Sequence, residues 1–153
     1  MKSYDKRKGI ILSVLHGSCL WGEIQYELSG HPEVFKYCFC PRCQKVSGGA
    51  QVANILVDHD QIKWIRGRDN VTRFDLPEAK RFSRGFWKTC GSPVPYILRD
   101  RTKVVIPAGS LDDDPGIQPQ GIMYWDYRPS WYSEPHGPDK EWKMVTPELR
   151  LPE

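Results

Sequence analysis

Three of the five cysteines, Cys38, Cys40 and Cys43, lie within six positions in a Cys-x-Cys-x-x-Cys arrangement. Thiolates this close together are ligands that a soft metal ion prefers, and zinc fits best. A structural zinc site normally has four protein ligands, whereas a catalytic site keeps one position open. The three ligands therefore predict an open zinc site. The alternative is a set of buried free thiols, because cysteine also packs as a small apolar residue.

The other two cysteines, Cys19 and Cys90, are far from this cluster in the sequence. Five thiols cannot all pair, and their spacing is unlike a secreted disulfide framework. Metal-bound thiolates in a reducing compartment fit better, so we expect a cytoplasmic protein. The apolar run at 10–15 is too short for a signal peptide and lacks a small-x-small cleavage site. No apolar run approaches the roughly 18 residues of a membrane span, so no membrane association is expected.

Length and composition predict one mainly β domain over residues 1–153. The chain has thirteen glycines, thirteen prolines and 12% aromatic residues, which favour turns and strands. Its net charge of +3 gives no basic stripe, so we expect no nucleic-acid partner. A short helical turn should begin at Pro41 and end near Gly48. Apolar patterning predicts strands over 8–16, 23–28, 34–39, 50–57, 61–65, 71–76, 80–87, 94–98, 103–107 and 122–125.

Four motifs occur in a characteristic order along the chain. They lie at residues 17–22 (GSCLWG), 38–48 (CFCPRCQKVSG), 86–93 (FWKTCGSP) and 108–113 (AGSLDD). Together they resemble the glutathione-dependent formaldehyde-activating enzyme family, which is related to a centromere-protein family. The resemblance extends from about Gly17 to Trp131. It implies a β-tent fold of several small antiparallel sheets in a single domain.

The resemblance also implies two zinc ions and an assignment as a carbon–sulfur lyase. The family positions matching Cys38, Cys40 and Cys43 hold a catalytic zinc. A thiol bound to such a zinc loses its proton, and the thiolate can add to formaldehyde. We therefore expect a zinc-dependent lyase-like enzyme acting on small thiol adducts, with glutathione as the thiol and formaldehyde or a related compound as its partner.

The structural zinc of the family uses a Cys-x-Cys and a Cys-x-x-Cys pair, and here one cysteine of each pair is replaced, by Trp21 and Trp87. Two thiolates do not close a tetrahedral site, and the indole nitrogen only donates. We therefore expect one zinc per chain, with the two tryptophans packed together where the second would lie. Cys19 and Cys90 are then expected to be free thiols rather than a disulfide.

Several alternatives remain open from the sequence. His16 could add a third ligand to Cys19 and Cys90. Arg42 and Lys45 could attract a carboxylate-bearing thiol, or they could be ordinary exposed residues. The cluster could belong to a non-catalytic zinc-binding module that is structural or docks a partner. A redox role for Cys40 and Cys43 is less favoured, because such motifs lie in βαβ units.

Overall fold

The computed structural model describes residues 2–5, 10–30, 32 and 34–133. This part of the chain contains twelve strands, one α-helix and four 3-10 turns. The strands are β1 (Lys2–Asp5), β2 (Ile10–Ser18), β3 (Gln25–Ser29), β4 (Val34–Cys38), β5 (Val52–Val57), β6 (Ile62–Arg66), β7 (Val71–Asp75), β8 (Ser83–Trp87), β9 (Pro93–Val94), β10 (Tyr96–Ile97), β11 (Val104–Pro107) and β12 (Gly121–Met123). The helix is α1 (Pro41–Ser47), and the 3-10 turns are His59–Gln61, Arg68–Asn70, Ala108–Ser110 and Trp125–Tyr127.

The strands form three small sheets, with orders β1-β2-β3-β6, β10-β11-β5-β4-β12 and β7-β8-β9. The prediction of a mainly β fold with one short helix after the cysteine cluster is confirmed. One pairing differs from the antiparallel expectation, because β12 runs parallel to β4. A parallel pair needs a long crossover, and most of the chain lies between these two strands. No helix in the described ranges is long and apolar enough to cross a membrane.

Several strand boundaries differ from the sequence expectation. The first predicted strand begins at Ile10, and residues 8 and 9 lie outside the described residues. The predicted strand over 94–98 is two short strands that meet at Pro95. Proline has no N–H to donate to a sheet, so it interrupts regular pairing. The sequence patterning also missed β1, which pairs with β2.

The five-stranded sheet has a core face and a cleft face. The core face packs on the β2–β3 hairpin, and side chains alternate between the faces of a strand. The buried cluster comprises Leu15, Tyr26, Leu28, Phe35, Ile55, Val57, Val104 and Ile106. The intervening residues of β4, β5 and β11 line a cleft: Lys36, Cys38, Asn54, Leu56 and Val105. The apolar patterning thereby places Cys38 on the face opposite the main core.

A second core surrounds Trp87. We expected Trp21 and Trp87 to pack together here, and that expectation is wrong. Trp87 is buried, 8% exposed, and packs with Cys19, Ile24 and Val94. Trp21 is instead 71% exposed. The turn there is tight, because the N–H of Gly22 donates to the carbonyl oxygen of Cys19 at 2.8 Å. Cys19 and Ile24 point inward from this turn, and Trp21 lies at its exposed tip. Of these two tryptophans, Trp87 supplies a buried aromatic ring to this core and Trp21 does not.

Candidate metal centre

The three clustered cysteines come together because a strand ends where a helix begins. Cys38 is the last residue of β4, and Cys40 is the N-cap of α1. The Cys40 sulfur accepts a hydrogen bond from the N–H of Cys43 at 3.4 Å, which satisfies a donor of the first helical turn. Pro41 follows the cap, and its fixed φ suits the first helical position. Gly48 ends the helix with a left-handed backbone, φ 69°.

The three sulfur atoms lie within 4.8 Å of one another. Tetrahedral zinc with Zn–S bonds of about 2.3 Å holds its sulfur ligands about 3.8 Å apart, so the arrangement has the right scale. Cys38 and Cys43 are buried, and Cys40 is half-buried. Within the described ranges, no His, Asp, Glu or further Cys joins this group. The sulfur donors therefore fit a soft metal ion, with three protein ligands.

The thiols of Cys38 and Cys43 are joined by a hydrogen bond. A hydrogen bond from Cys43 lowers the pKa of the Cys38 thiol to about 6. The same hydrogen bond, together with burial, raises the pKa of the Cys43 thiol. Cys38 therefore loses its proton more readily than Cys43. Metal ligation requires deprotonated thiols, so a bound metal ion would displace the proton of Cys43.

The cluster opens into a cleft of about 680 Å³. Its floor is the outer face of the five-stranded sheet, and its walls include α1 and the segment 80–83. Tyr124 and Tyr127, whose ring centroids are 6.2 Å apart, lie at its edge. The volume is within the range of about 300–1,000 Å³ typical of small-molecule sites. The cysteines are thus accessible to a small ligand.

The cleft is electropositive. Its lining includes Lys36, Arg42, Lys80 and Arg81, and among the described residues no Asp or Glu lines it. Asp100 outside the lining pairs with Arg81, at 2.6 Å between Nε and Oδ2. The sequence analysis named Arg42 as a candidate for attracting a carboxylate-bearing thiol. Its guanidinium lies above the ring of Phe82, which also lines the cleft. Lys45, the other candidate, does not line the cleft. A carboxylate-bearing ligand would meet complementary charge here.

Two further residues of the cleft region escaped the sequence analysis. Arg84 on β8 is only 7% exposed, and its guanidinium carbon lies 5.6 Å from the ring centroid of Tyr96 on β10. Tyr96 lines the same cleft as the three cysteines. Gly85, next to Arg84, lets β8 and β10 approach closely, because an added Cβ at Gly85 would lie 2.9 Å from the Cβ of Tyr96. The sequence signal was an arginine beside a glycine in a short strand that ends in Phe86 and Trp87.

The remaining cysteines do not form a comparable site. Cys19 accepts a hydrogen bond from the N–H of Ile24 at 3.3 Å, and the thiol of Cys90 donates to the hydroxyl of Ser92 at 3.1 Å. All five cysteines are free, as expected for Cys19 and Cys90. His16 does not join them, because its Nδ1 lies 2.8 Å from a carboxylate oxygen of Asp113. The alternative of a His16-assisted second metal site is therefore not supported.

Comparisons with known proteins bear on the family and the fold of this chain. The sequence profile of the glutathione-dependent formaldehyde-activating enzyme family matches residues 14–127, a range that contains all three clustered cysteines. A crystal structure of a Rhodobacter sphaeroides protein matches with a TM-score of 0.53 and 17% sequence identity. That match covers 71% of this chain and 99% of the other, and it supports the fold. Among curated proteins, none matches the chain significantly.

Proposed function

Because the chain belongs to the glutathione-dependent formaldehyde-activating enzyme family, we propose that it is a zinc-dependent, carbon–sulfur lyase-like enzyme. Its substrates are small thiol adducts, formed from glutathione with formaldehyde or a related aldehyde. The observation that carries this proposal is the position of three sulfurs, within 4.8 Å of one another, at the side of a cationic cleft. A purely structural metal site needs no such cleft, which disfavours the alternative of a cysteine cluster that only stabilises the fold.

Cys38, Cys40 and Cys43 hold the metal in this proposal. When bound, zinc lowers the pKa of a thiol that reaches it and so supplies a thiolate at neutral pH. The three cysteines fix the place where the substrate sulfur lies. The cap contact between Cys40 and Cys43 ties two of these ligands to one helical turn.

Cationic side chains bind the rest of the substrate. Glutathione carries two carboxylates, and Lys36, Arg42 and Lys80 line the cleft. Within the described ranges, none of these three has a carboxylate within ion-pair distance, so their charges are not already neutralised by partners there. Long-range attraction raises the local concentration of an anionic thiol, and hydrogen bonds to the carboxylates orient it.

We propose one zinc per chain. The core built from Cys19, Ile24, Trp87 and Val94 supports this, because hydrophobic packing holds the region where the family has its structural zinc. Free thiols at all five cysteines fit a reducing, cytoplasmic compartment.

The test measures how fast free glutathione and formaldehyde exchange with their adduct, S-hydroxymethylglutathione. Exchange NMR at equilibrium monitors this rate. The spontaneous reaction is measured in parallel and subtracted. The zinc-loaded protein should accelerate exchange, and Cys40→Ser should abolish the acceleration. Acceleration by Cys40→Ser equal to that of the wild type would exclude the mechanism.

A further inference from the structure

Arg84 is a buried cation with an unusual environment. It is 7% exposed, and among the described residues no carboxylate lies within ion-pair distance of it. An unpaired buried charge is costly, typically by several kcal/mol. Its observed partner is the ring of Tyr96, with 5.6 Å between the guanidinium carbon and the ring centroid. A cation in this position strongly favours a neighbouring group that carries or develops negative charge.

Tyr96 connects this cation with the cysteine cluster. It lies on β10 opposite Val105 of β11, and both residues line the cleft that contains Cys38 and Cys43. Burial raises the pKa of Tyr96, and the Arg84 guanidinium acts to lower it. The phenol ring thus contacts the guanidinium and lines the same cleft as both thiols. Its hydroxyl keeps its proton at neutral pH and is available as a donor.

We propose that Tyr96 is a catalytic residue that donates a hydrogen bond, and then its proton, to the carbonyl oxygen of the aldehyde, and that Arg84 is the positioning residue for its hydroxyl. This inference rests on the proposed function. Negative charge develops on that oxygen when a thiolate adds to the carbonyl. Donors aimed at developing charge are usually the largest single contribution to such catalysis.

The step balances without a further reagent. The thiolate sulfur forms a bond to the carbonyl carbon, and the π electron pair moves to the oxygen. That oxygen takes the proton of the Tyr96 hydroxyl. The proton that the thiol lost on becoming a thiolate returns to Tyr96 through solvent. The sum is thiol plus aldehyde giving the hydroxyalkyl thioether, and the lyase direction is the reverse, in which the phenolate of Tyr96 takes the hydroxyl proton.

Arg84 contributes by its fixed charge. The guanidinium above the ring stabilises the phenolate that forms transiently, and it restricts the orientation of the phenol. The close approach of strands at Gly85 holds the backbone of Tyr96 in place. The pair is therefore pre-organised on two strands rather than on a loop, which limits the reorganisation needed during the reaction.

The first test is Tyr96→Phe in the zinc-loaded protein, measured by exchange NMR with glutathione and formaldehyde. The catalysed rate should fall about 100-fold, the usual cost of removing one oxyanion donor. Zinc content and the affinity for glutathione alone should stay within twofold of the wild type. The matched control is Tyr37→Phe on the opposite face of β4, where the ring lies 6.1 Å from that of Phe35. Its catalysed rate should be unchanged.

The outcomes separate this inference from the proposed function. A wild-type protein that binds zinc but does not accelerate exchange overturns the proposed function, and this inference with it. An active wild type with Tyr96→Phe within threefold of its rate overturns the inference alone. So does a loss of rate that is matched by a loss of zinc, since Tyr96 would then support the metal site.

A second measurement uses the intact wild-type protein and does not depend on folding of a variant. S-Ethylglutathione replaces the hydroxyl of S-hydroxymethylglutathione by a methyl group. The wild type should bind the hydroxymethyl conjugate, maintained by excess formaldehyde, about tenfold more tightly, as one hydrogen bond of up to about 1.5 kcal/mol allows. Equal affinities would contradict a donor at this position.

The role of Arg84 is tested by a double-mutant cycle. Arg84→Lys keeps the charge but loses the planar guanidinium, and it should lower the catalysed rate in the wild-type background. In the Tyr96→Phe background the same substitution should change the rate less than twofold, because its effect passes through the hydroxyl. A merely structural role would lower the rate equally in both backgrounds and would overturn the assignment.

Discussion

The sulfur of Cys40 accepts the backbone N–H of Cys43 at 3.4 Å, so one candidate ligand caps the helix that carries another. The ligand set and the first turn of α1 are therefore formed by the same residues. The fold of this turn places the three sulfurs within 4.8 Å of one another. Ligands that are held by one strand end and one helical turn reduce the ordering cost that metal binding must overcome.

Substitutions of Cys40 separate its two roles. Cys40→Ser keeps a good N-cap oxygen, whereas Cys40→Ala has none. Both variants should lose most of their zinc, measured by mass spectrometry of the native protein. In the metal-free state Cys40→Ser should be more stable than Cys40→Ala by about 1 kcal/mol, the usual value of an N-cap. Equal stabilities in denaturant unfolding would mean that the cap contributes nothing.

The zinc content of the purified protein should be one ion per chain. Cys90→Ser should leave that value unchanged, because Cys90 lies outside the three-cysteine group. Elemental analysis with protein quantification by absorbance measures both. A stoichiometry near two, reduced to one by Cys90→Ser, would show that a second site survives despite Trp21 and Trp87.

Zinc affinity should fall as the pH is lowered. The pKa of the Cys43 thiol is raised, so metal binding at neutral pH must release its proton, and affinity drops about tenfold per pH unit for each proton released. The pKa of Cys38 is lowered to about 6, so its thiolate is present above that pH. Below about pH 6 Cys38 takes up a proton as well, and the fall becomes steeper. Competition with a chelator between pH 5.5 and 8 measures this dependence, and a pH-independent affinity would contradict it.

The cationic lining should contribute to thiol binding. Lys80→Gln should raise KM for glutathione about two- to fivefold with little change in kcat, because an exposed charge interaction is worth up to about 1 kcal/mol. Lys45→Gln is the control, since Lys45 lies on the helix that carries Cys43 but does not line the cleft. The difference in KM between Lys80→Gln and the wild type should shrink at high salt, because salt screens the charge interaction. Equal KM values for both variants would argue against charge recognition in the cleft.

Gly17 should tolerate no side chain. A methyl group there would collide with the phenol of Tyr26 and lie 2.7 Å from the carbonyl oxygen of Ser110. The Tyr26 hydroxyl donates to that same carbonyl at 3.0 Å, so the ring has little freedom to move. Gly17→Ala should destabilise the protein by about 1–3 kcal/mol, the usual cost of overpacking. Gly109→Ala, where an added Cβ meets nothing within 4 Å, is the control in thermal unfolding.

The sequence by itself determined the elements whose signals are local. The Cys-x-Cys-x-x-Cys spacing identified the candidate ligands, and Pro41 and Gly48 marked the two ends of α1. Period-two apolar patterns located most strands, because a half-buried strand must alternate its side chains. The ordered motifs identified the family before any comparison.

Only the tertiary structure decided what depends on contacts between distant segments. Local sequence does not state which partner a strand chooses, so the parallel pairing of β12 with β4 was not predicted. The same limit explains why the prediction that Trp21 packs against Trp87 was wrong. Cys19 and Ile24 point inward from a tight turn, which leaves Trp21 exposed. The contact between Arg84 and Tyr96 joins strands from two sheets. Residue spacing identified the three sulfurs, but the cleft and the buried cation near them exist only because sheet packing brings distant parts of the chain together.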